Sequence, residues 1–242
     1  MPPPPPGGPP SPPSGATPPP PPPPDGPPWE RERSVGGLLQ TLKGVLLEPG
    51  RTFRDTAPEA GIGWPLLYWL ILTAVGTLAG MFWGVISGSA GLAMLEPYAR
   101  MSPEAAELYE ILQGQTAAQG LLYALRVPAS LALALLFLFI WTAVVHLLLM
   151  LVGGTERSFE ATFRAIAYAA GSAAIFEVVP ACGWFIGLVW SIVVQIIGVK
   201  ELQRTSSGKA TFAVLAPLLL CFACCIVWAV LVFSFLVAAG QS

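Results

Sequence analysis

The chain has 242 residues, 54% of them hydrophobic and 11% charged, with a formal net charge of −2. A soluble domain of this length would not need so much apolar material for its core and could not hide it from water, so most of the polypeptide belongs in lipid. Lys and Arg are too sparse for the clustered cations of a phosphate-binding surface, which excludes nucleic acid as a partner.

Residues 1–33 form a predicted disordered, cytoplasmic tail, with Pro2–Pro6 and Pro18–Pro24 broken by Gly, Ser, Ala and Thr. Poly-proline makes neither helix nor sheet ladder and settles into hydrated polyproline II. Such a tail serves as a docking ligand for an aromatic-lined groove or as a solvated spacer, and its composition favours the spacer. It lacks the basic start and apolar run of a secretory signal.

Residues 34–63 are an interfacial segment. Val35, Leu38, Leu39, Leu42, Val45 and Leu46 fall on one helical face, and Pro49-Gly50 ends the pattern. The helix is too short to span. It lies along the membrane surface with Gln40 and Lys43 toward water, or packs as a cytosolic helix on the membrane domain's own loops.

Five apolar segments follow, at about 64–86, 128–152, 161–179, 183–199 and 211–238, each near the roughly 20 residues that cross a bilayer. The fold class is therefore all-α, a polytopic membrane protein. The third segment carries Arg164 and Glu177 and the fourth is short, so a chain of three spans with an interfacial pair is the alternative. In the intervening external loop, 87–127, Ser102-Pro103-Glu104 starts a short acidic helix through Glu107 and Glu110 that should end near Gly114.

Positive residues in short loops stay in the cytoplasm. Arg31, Arg33, Lys43, Arg51 and Arg54 precede the first span, Arg157 follows the second, and Lys200, Arg204 and Lys209 follow the fourth. Only Arg100 and Arg126 stand on the other side, so the N-terminus is predicted inside and the C-terminus outside.

Gly76, Gly80 and Gly84 lie on one stripe of the first span, and Gly183 and Gly187 repeat the spacing in the fourth. Small residues at this spacing let helix backbones approach closely in lipid. Contacts within one chain explain them as well as a dimer does.

Ionisable groups inside a membrane suggest function by default. Arg164, one turn after Glu160, is predicted to pair with it at the cytoplasmic boundary. Glu177 lies at the outer boundary within reach of water, and His146 in the second span suits a helix-to-helix hydrogen bond. A proton or ion path through His146, Gln195 and either charge is the functional alternative. Cys221, Cys224 and Cys225 lie in an apolar span where thiols behave as small hydrophobes, so no metal site or disulfide framework is indicated. With no nucleophile-and-base pair, metal cluster or phosphate cradle, the expectation is a non-enzymatic protein without a cofactor.

The run Leu46-Leu47-Glu48-Pro49-Gly50-Arg51-Thr52-Phe53, followed by Trp64-Pro65-Leu66, resembles the start of prokaryotic members of the Yip (Ypt-interacting protein) domain family. Gly153-Gly154, Phe163-Arg164-Ala165, Tyr168, Pro180, Gly183, Trp190, Gly198-Val199 and Ser206 to Ala210 extend the resemblance over about residues 43–238. It implies a five-span helical domain at 64–238 with a cytoplasmic N-terminus. Eukaryotic members act in vesicle traffic with Rab-type GTPases, but their Asp-Leu-Tyr-Gly-Pro signature is absent here, which argues against a GTPase partner. The Ala-rich sequence leans toward a bacterial inner-membrane protein. The partners expected are membrane lipids and proteins recruited through the N-terminal region, in a role of membrane organisation or traffic. A small-solute or ion permease is the alternative, although no internal repeat of the transporter kind is visible.

Overall fold

The computed structural model describes residues 26–239, with side chains described except at 115–125 and 235–239. Of the tail expected at 1–33, residues 1–25 lie outside the described residues. All the regular elements described are helical: α1 (Pro28–Glu32), α2 (Val35–Leu47), α3 (Pro49–Arg54), α4 (Gly63–Ala99), α5 (Pro103–Leu151), α6 (Phe159–Ala174), a 3-10 turn (Ile175–Val178), α7 (Gly183–Gln203) and α8 (Ser207–Ala239).

Ordered structure begins before the expected tail boundary at residue 33. Pro28 takes the first position of α1, where its missing N–H would be unpaired in any case. Trp29 is then buried, its backbone N–H donating to Thr41 Oγ1 at 2.9 Å and its indole N–H to the Trp64 carbonyl at 3.1 Å. Ser34 caps α2 by accepting from the Gly37 N–H at 3.0 Å. Helix α2 buries Gly37, Thr41 and Val45 against its neighbours while Val35 and Leu39 stay exposed, and Gln40 and Lys43 face outward. Pro49 ends α2 and opens α3.

Among the described residues, four helical stretches are long and apolar enough to cross a membrane: Gly63–Ala99, Arg126–Leu151, Gly183–Gln203 and Ser207–Ser234. The segment expected as the third span is α6, only 16 residues long. It rises about 24 Å, and the 3-10 turn that continues it adds about 8 Å, together close to the roughly 30 Å hydrocarbon thickness. The count is four by helix length and five when α6 and its turn are taken together.

Helix α6 is also the centre of the molecule. Ala161, Ala165, Ala167, Ala169 and Gly171 keep it thin, and α4, α5 and α7 pack around it with α2 across one end. Phe163, Ile166 and Tyr168 are fully buried there. The outward faces are apolar as lipid requires: Phe82, Leu133, Phe137, Phe185, Phe222 and Trp228 are all exposed.

The stretch 87–127 is helical on both sides of a break at Arg100–Ser102, so α4 and α5 form a long hairpin. Ser102 caps α5 through the Ala105 N–H at 3.1 Å, with Pro103 at the first position, as the sequence suggests. The helix does not end near Gly114, however; it runs 49 residues to Leu151. A glycine ends a helix only when it takes a left-handed conformation, and Gly114 does not.

Candidate functional site

Arg164 is the largest fully buried side chain. The expected pair with Glu160 does not form; Arg164 Nη2 instead reaches Glu30 Oε1 of α1 at 2.5 Å, and Nη1 donates to the Gly61 carbonyl at 2.6 Å. Glu160 accepts from the Gly61 N–H. The physical reason is burial. A guanidinium with no exposure needs a fully desolvated partner, and the neighbouring α1 segment brings a carboxylate whose side chain is only 9% exposed. The Tyr168 hydroxyl donates to the same Glu30 oxygen at 2.5 Å. Tyr68 packs against Tyr168 with tilted rings 5.0 Å apart between centroids and shares a 2.6 Å hydrogen bond with Ser172. Among the described residues, Arg164 Nε has no hydrogen-bond partner. The cluster is a clamp: one carboxylate from α1 holds a cation and a phenol of α6, and the 61–62 loop closes it. Arg33, in a left-handed conformation at the end of α1, lies 4.3 Å over the Trp64 ring and fastens the same segment to α4.

The other polar residues fall into separate groups. His146 Nδ1 lies 2.8 Å from Thr162 Oγ1, which also accepts from Gln203 Nε2 at 2.8 Å. Gln203 in turn accepts from the Arg157 N–H at 3.0 Å, binding the ends of α5, α6 and α7. Gln195 accepts from the Trp141 indole at 2.7 Å and donates to Ser191 at 2.8 Å. Glu177 sits on the 3-10 turn at the opposite end of the bundle, facing Gly76 and Gly80. The structure thus gives His146, Gln195, Arg164 and Glu177 different neighbours.

The glycines mark close approach unequally. A Cβ on Gly76 would stand 2.5 Å from the Ala174 carbonyl oxygen, one on Gly187 2.9 Å from that of Ala173, and one on Gly183 would overlap that of Phe176. Gly80 has more room, and nothing lies near Gly84. Gly198 receives the ring of the buried Phe53, at 2.9 Å from a built Cβ, which seats α3 on α7. Gly153 has a positive φ of 62° and offers its carbonyl to Lys209 Nζ at 2.8 Å; Gly154 packs beside Thr205. Pro180 accepts from the Cys182 N–H at 2.8 Å in the turn before α7.

The residues that hold this framework lie mostly inside one stretch of sequence, and the Yip1 domain model matches residues 43–229. The chain belongs to the Yip1 domain family. No curated protein and no solved structure matched it. The clamp reaches beyond the family match, because Glu30 precedes residue 43 while Arg164 and Tyr168 lie within it. Sequence reasoning singled out Arg164 and Tyr168 but missed Trp29, Glu30, Gly61 and Gln203. The available signal was Trp29-Glu30 beside Arg31 and Arg33, with Trp29 the first large apolar residue after the proline runs.

Proposed function

We propose that this Yip1 domain protein is a non-enzymatic membrane organiser that recruits partners through its N-terminal region. The observation that supports it is the clamp: α1 is fastened to α6 by Glu30, Arg164 and Tyr168, so the segment ahead of it is presented at a fixed place on the membrane domain. The proline-rich stretch is then a spacer or docking ligand tethered at that point. The orientation proposed has the N-terminus in the cytoplasm of a bacterial inner membrane. Its support is the basic residues of α1–α3, of the loop at Arg157 and of the loop after α7, which gather at one end of the bundle. A permease would need His146, Gln195 and a charge to share a passage, and each is bonded to a different neighbour.

The test compares proteins captured in mild detergent by the full chain and by a chain lacking residues 2–25. Removal of everything up to residue 63, or of Glu30 alone, would strip Arg164 of its counter-ion and confound the result. Partners held by the full chain and lost from the shortened one support recruitment through the N-terminal region. Partners retained equally by both overturn it.

A further inference from the structure

A cavity of about 280 Å³ lies among α4, α5, α6, α7 and α8. Apart from two tryptophan indoles, its polar groups are Ser191 and Gln195, one turn apart on α7. The Trp141 indole can only donate, so it holds the Gln195 carbonyl and leaves the amide nitrogen to donate to the Ser191 hydroxyl oxygen. Two donor hydrogens are then left over. Among the described residues, neither the Ser191 O–H nor the second N–H of Gln195 has an acceptor. An adjoining cavity of about 370 Å³ shares Trp69, Ala170, Leu188 and Ser191 with the first and is lined by Thr73, whose buried Oγ1 also has no partner among the described residues. Unpaired donors in apolar surroundings are costly, and the deficit calls for a ligand that brings acceptor oxygens.

The depth of the site limits what those oxygens can belong to. Helix α7 is bounded by the turn at Pro180–Cys182 and by left-handed Arg204, and its 21 residues rise about 32 Å, close to the thickness of the hydrocarbon core. Ser191 and Gln195 stand about 12 and 18 Å from its Gly183 end, near the bilayer midplane. The ester and phosphate oxygens of a phospholipid lie at the edges of the core and do not reach that depth. Phe137 and Leu188 of the cavity wall are exposed on the outer face of the bundle, so the space opens toward lipid. We propose that the cavity binds an isoprenoid quinone, a neutral carbonyl compound that dissolves in the hydrocarbon core. Its ring lies among Trp69, Phe137 and Trp141, one carbonyl accepts from Ser191 and Gln195, the opposite carbonyl serves Thr73, and the prenyl tail leaves past Phe137 and Leu188.

The chemistry selects this class. Quinone oxygens only accept, which matches donors in surplus, whereas an alcohol would bring another donor in need of its own acceptor. Two carbonyls on opposite edges of one ring supply an acceptor to each of the two adjoining spaces. A flat conjugated ring also gains offset or edge contacts with aromatic walls. A fatty carboxylate would satisfy the donors but would carry a charge into the centre of the core. A plain hydrocarbon chain would fill the space and leave Ser191, Gln195 and Thr73 as unpaired as before.

The test is ligand retention by the full-length protein, reconstituted into phosphatidylcholine vesicles that hold equal amounts of ubiquinone and of squalene, an isoprenoid chain without oxygen. The protein is then purified in mild detergent and its bound molecules are counted by mass spectrometry. The native chain should retain ubiquinone over squalene by about five- to thirtyfold, the range of one or two net hydrogen bonds. Ser191→Ala should lower that ratio by about fivefold, the loss of one such bond. Thr73→Val keeps the shape of the side chain and breaks no bond seen within the protein, so a purely structural role would leave the ratio unmoved; the quinone site predicts that it falls by a similar factor. If Ser191→Ala does not fold, Thr73→Val decides alone. Equal retention of ubiquinone and squalene by the native chain would mean that the donors are met by water and the space by any apolar chain, and it overturns the proposal. A native ratio in either folded variant also overturns it.

Discussion

Arg164 shows how a charge is kept inside a lipid-embedded bundle. Both of its terminal nitrogens are bonded, one to Glu30 and one to the Gly61 carbonyl, and Tyr168 shares the Glu30 oxygen. A buried ion pair gives little net stability against an apolar replacement, but removal of one partner leaves an uncompensated charge. Glu30→Ala should therefore lower stability by about 3–5 kcal/mol, read as a fall in the thermal midpoint of the purified protein. Combined with Arg164→Met, the loss should be smaller than the sum of the two single losses, because the double variant buries no unpaired charge. Strict additivity would show that the residues are not coupled. Arg164 was legible as an anomaly in an apolar run, but its partner was not. Residues 134 apart share no periodicity, and sequence reasoning favoured the acid one helical turn away.

Helices were more legible than their packing. Apolar runs located α4, α5, α7 and α8, Ser102-Pro103 the start of α5 and Pro49 the end of α2, because lipid exposure and capping are local properties. The centrality of α6 was hidden, since small residues that pack densely and small residues in a loose span look alike until neighbours are in place. The glycine stripe has the same ambiguity, and the structure separates its members. Gly76→Ala should destabilise by about 1–3 kcal/mol through overpacking, because the added methyl would meet the Ala174 carbonyl. Gly84→Ala, with nothing near it, should stay within about 0.5 kcal/mol. Thermal unfolding of the two variants in one detergent checks the contrast; equal effects would mean that the stripe contacts something other than α6 and its turn.

Across the whole molecule, the two ends of the bundle differ in chemistry. One gathers α1–α3, Arg157, Arg204 and Lys209; the other has the Pro180–Cys182 turn, Glu177 and Arg126. Helix α7 joins them with 21 residues, a rise of about 32 Å that matches the bilayer core. Cys182, before α7, and Ser207, after it, should therefore lie on opposite faces of the membrane, with Ser207 on the face that positive residues prefer. Both positions are exposed, so a thiol at either is open to a reagent. With Cys221, Cys224 and Cys225 replaced by Ala, Cys182 should react with a membrane-impermeant maleimide added to intact cells. In the same background with Cys182→Ala and Ser207→Cys, labelling should appear only after permeabilisation. The reverse pattern would invert the orientation, and labelling of both in intact cells would mean that α7 does not cross. Either result would move the N-terminal clamp, and any partner it presents, to the other face or to no defined face at all.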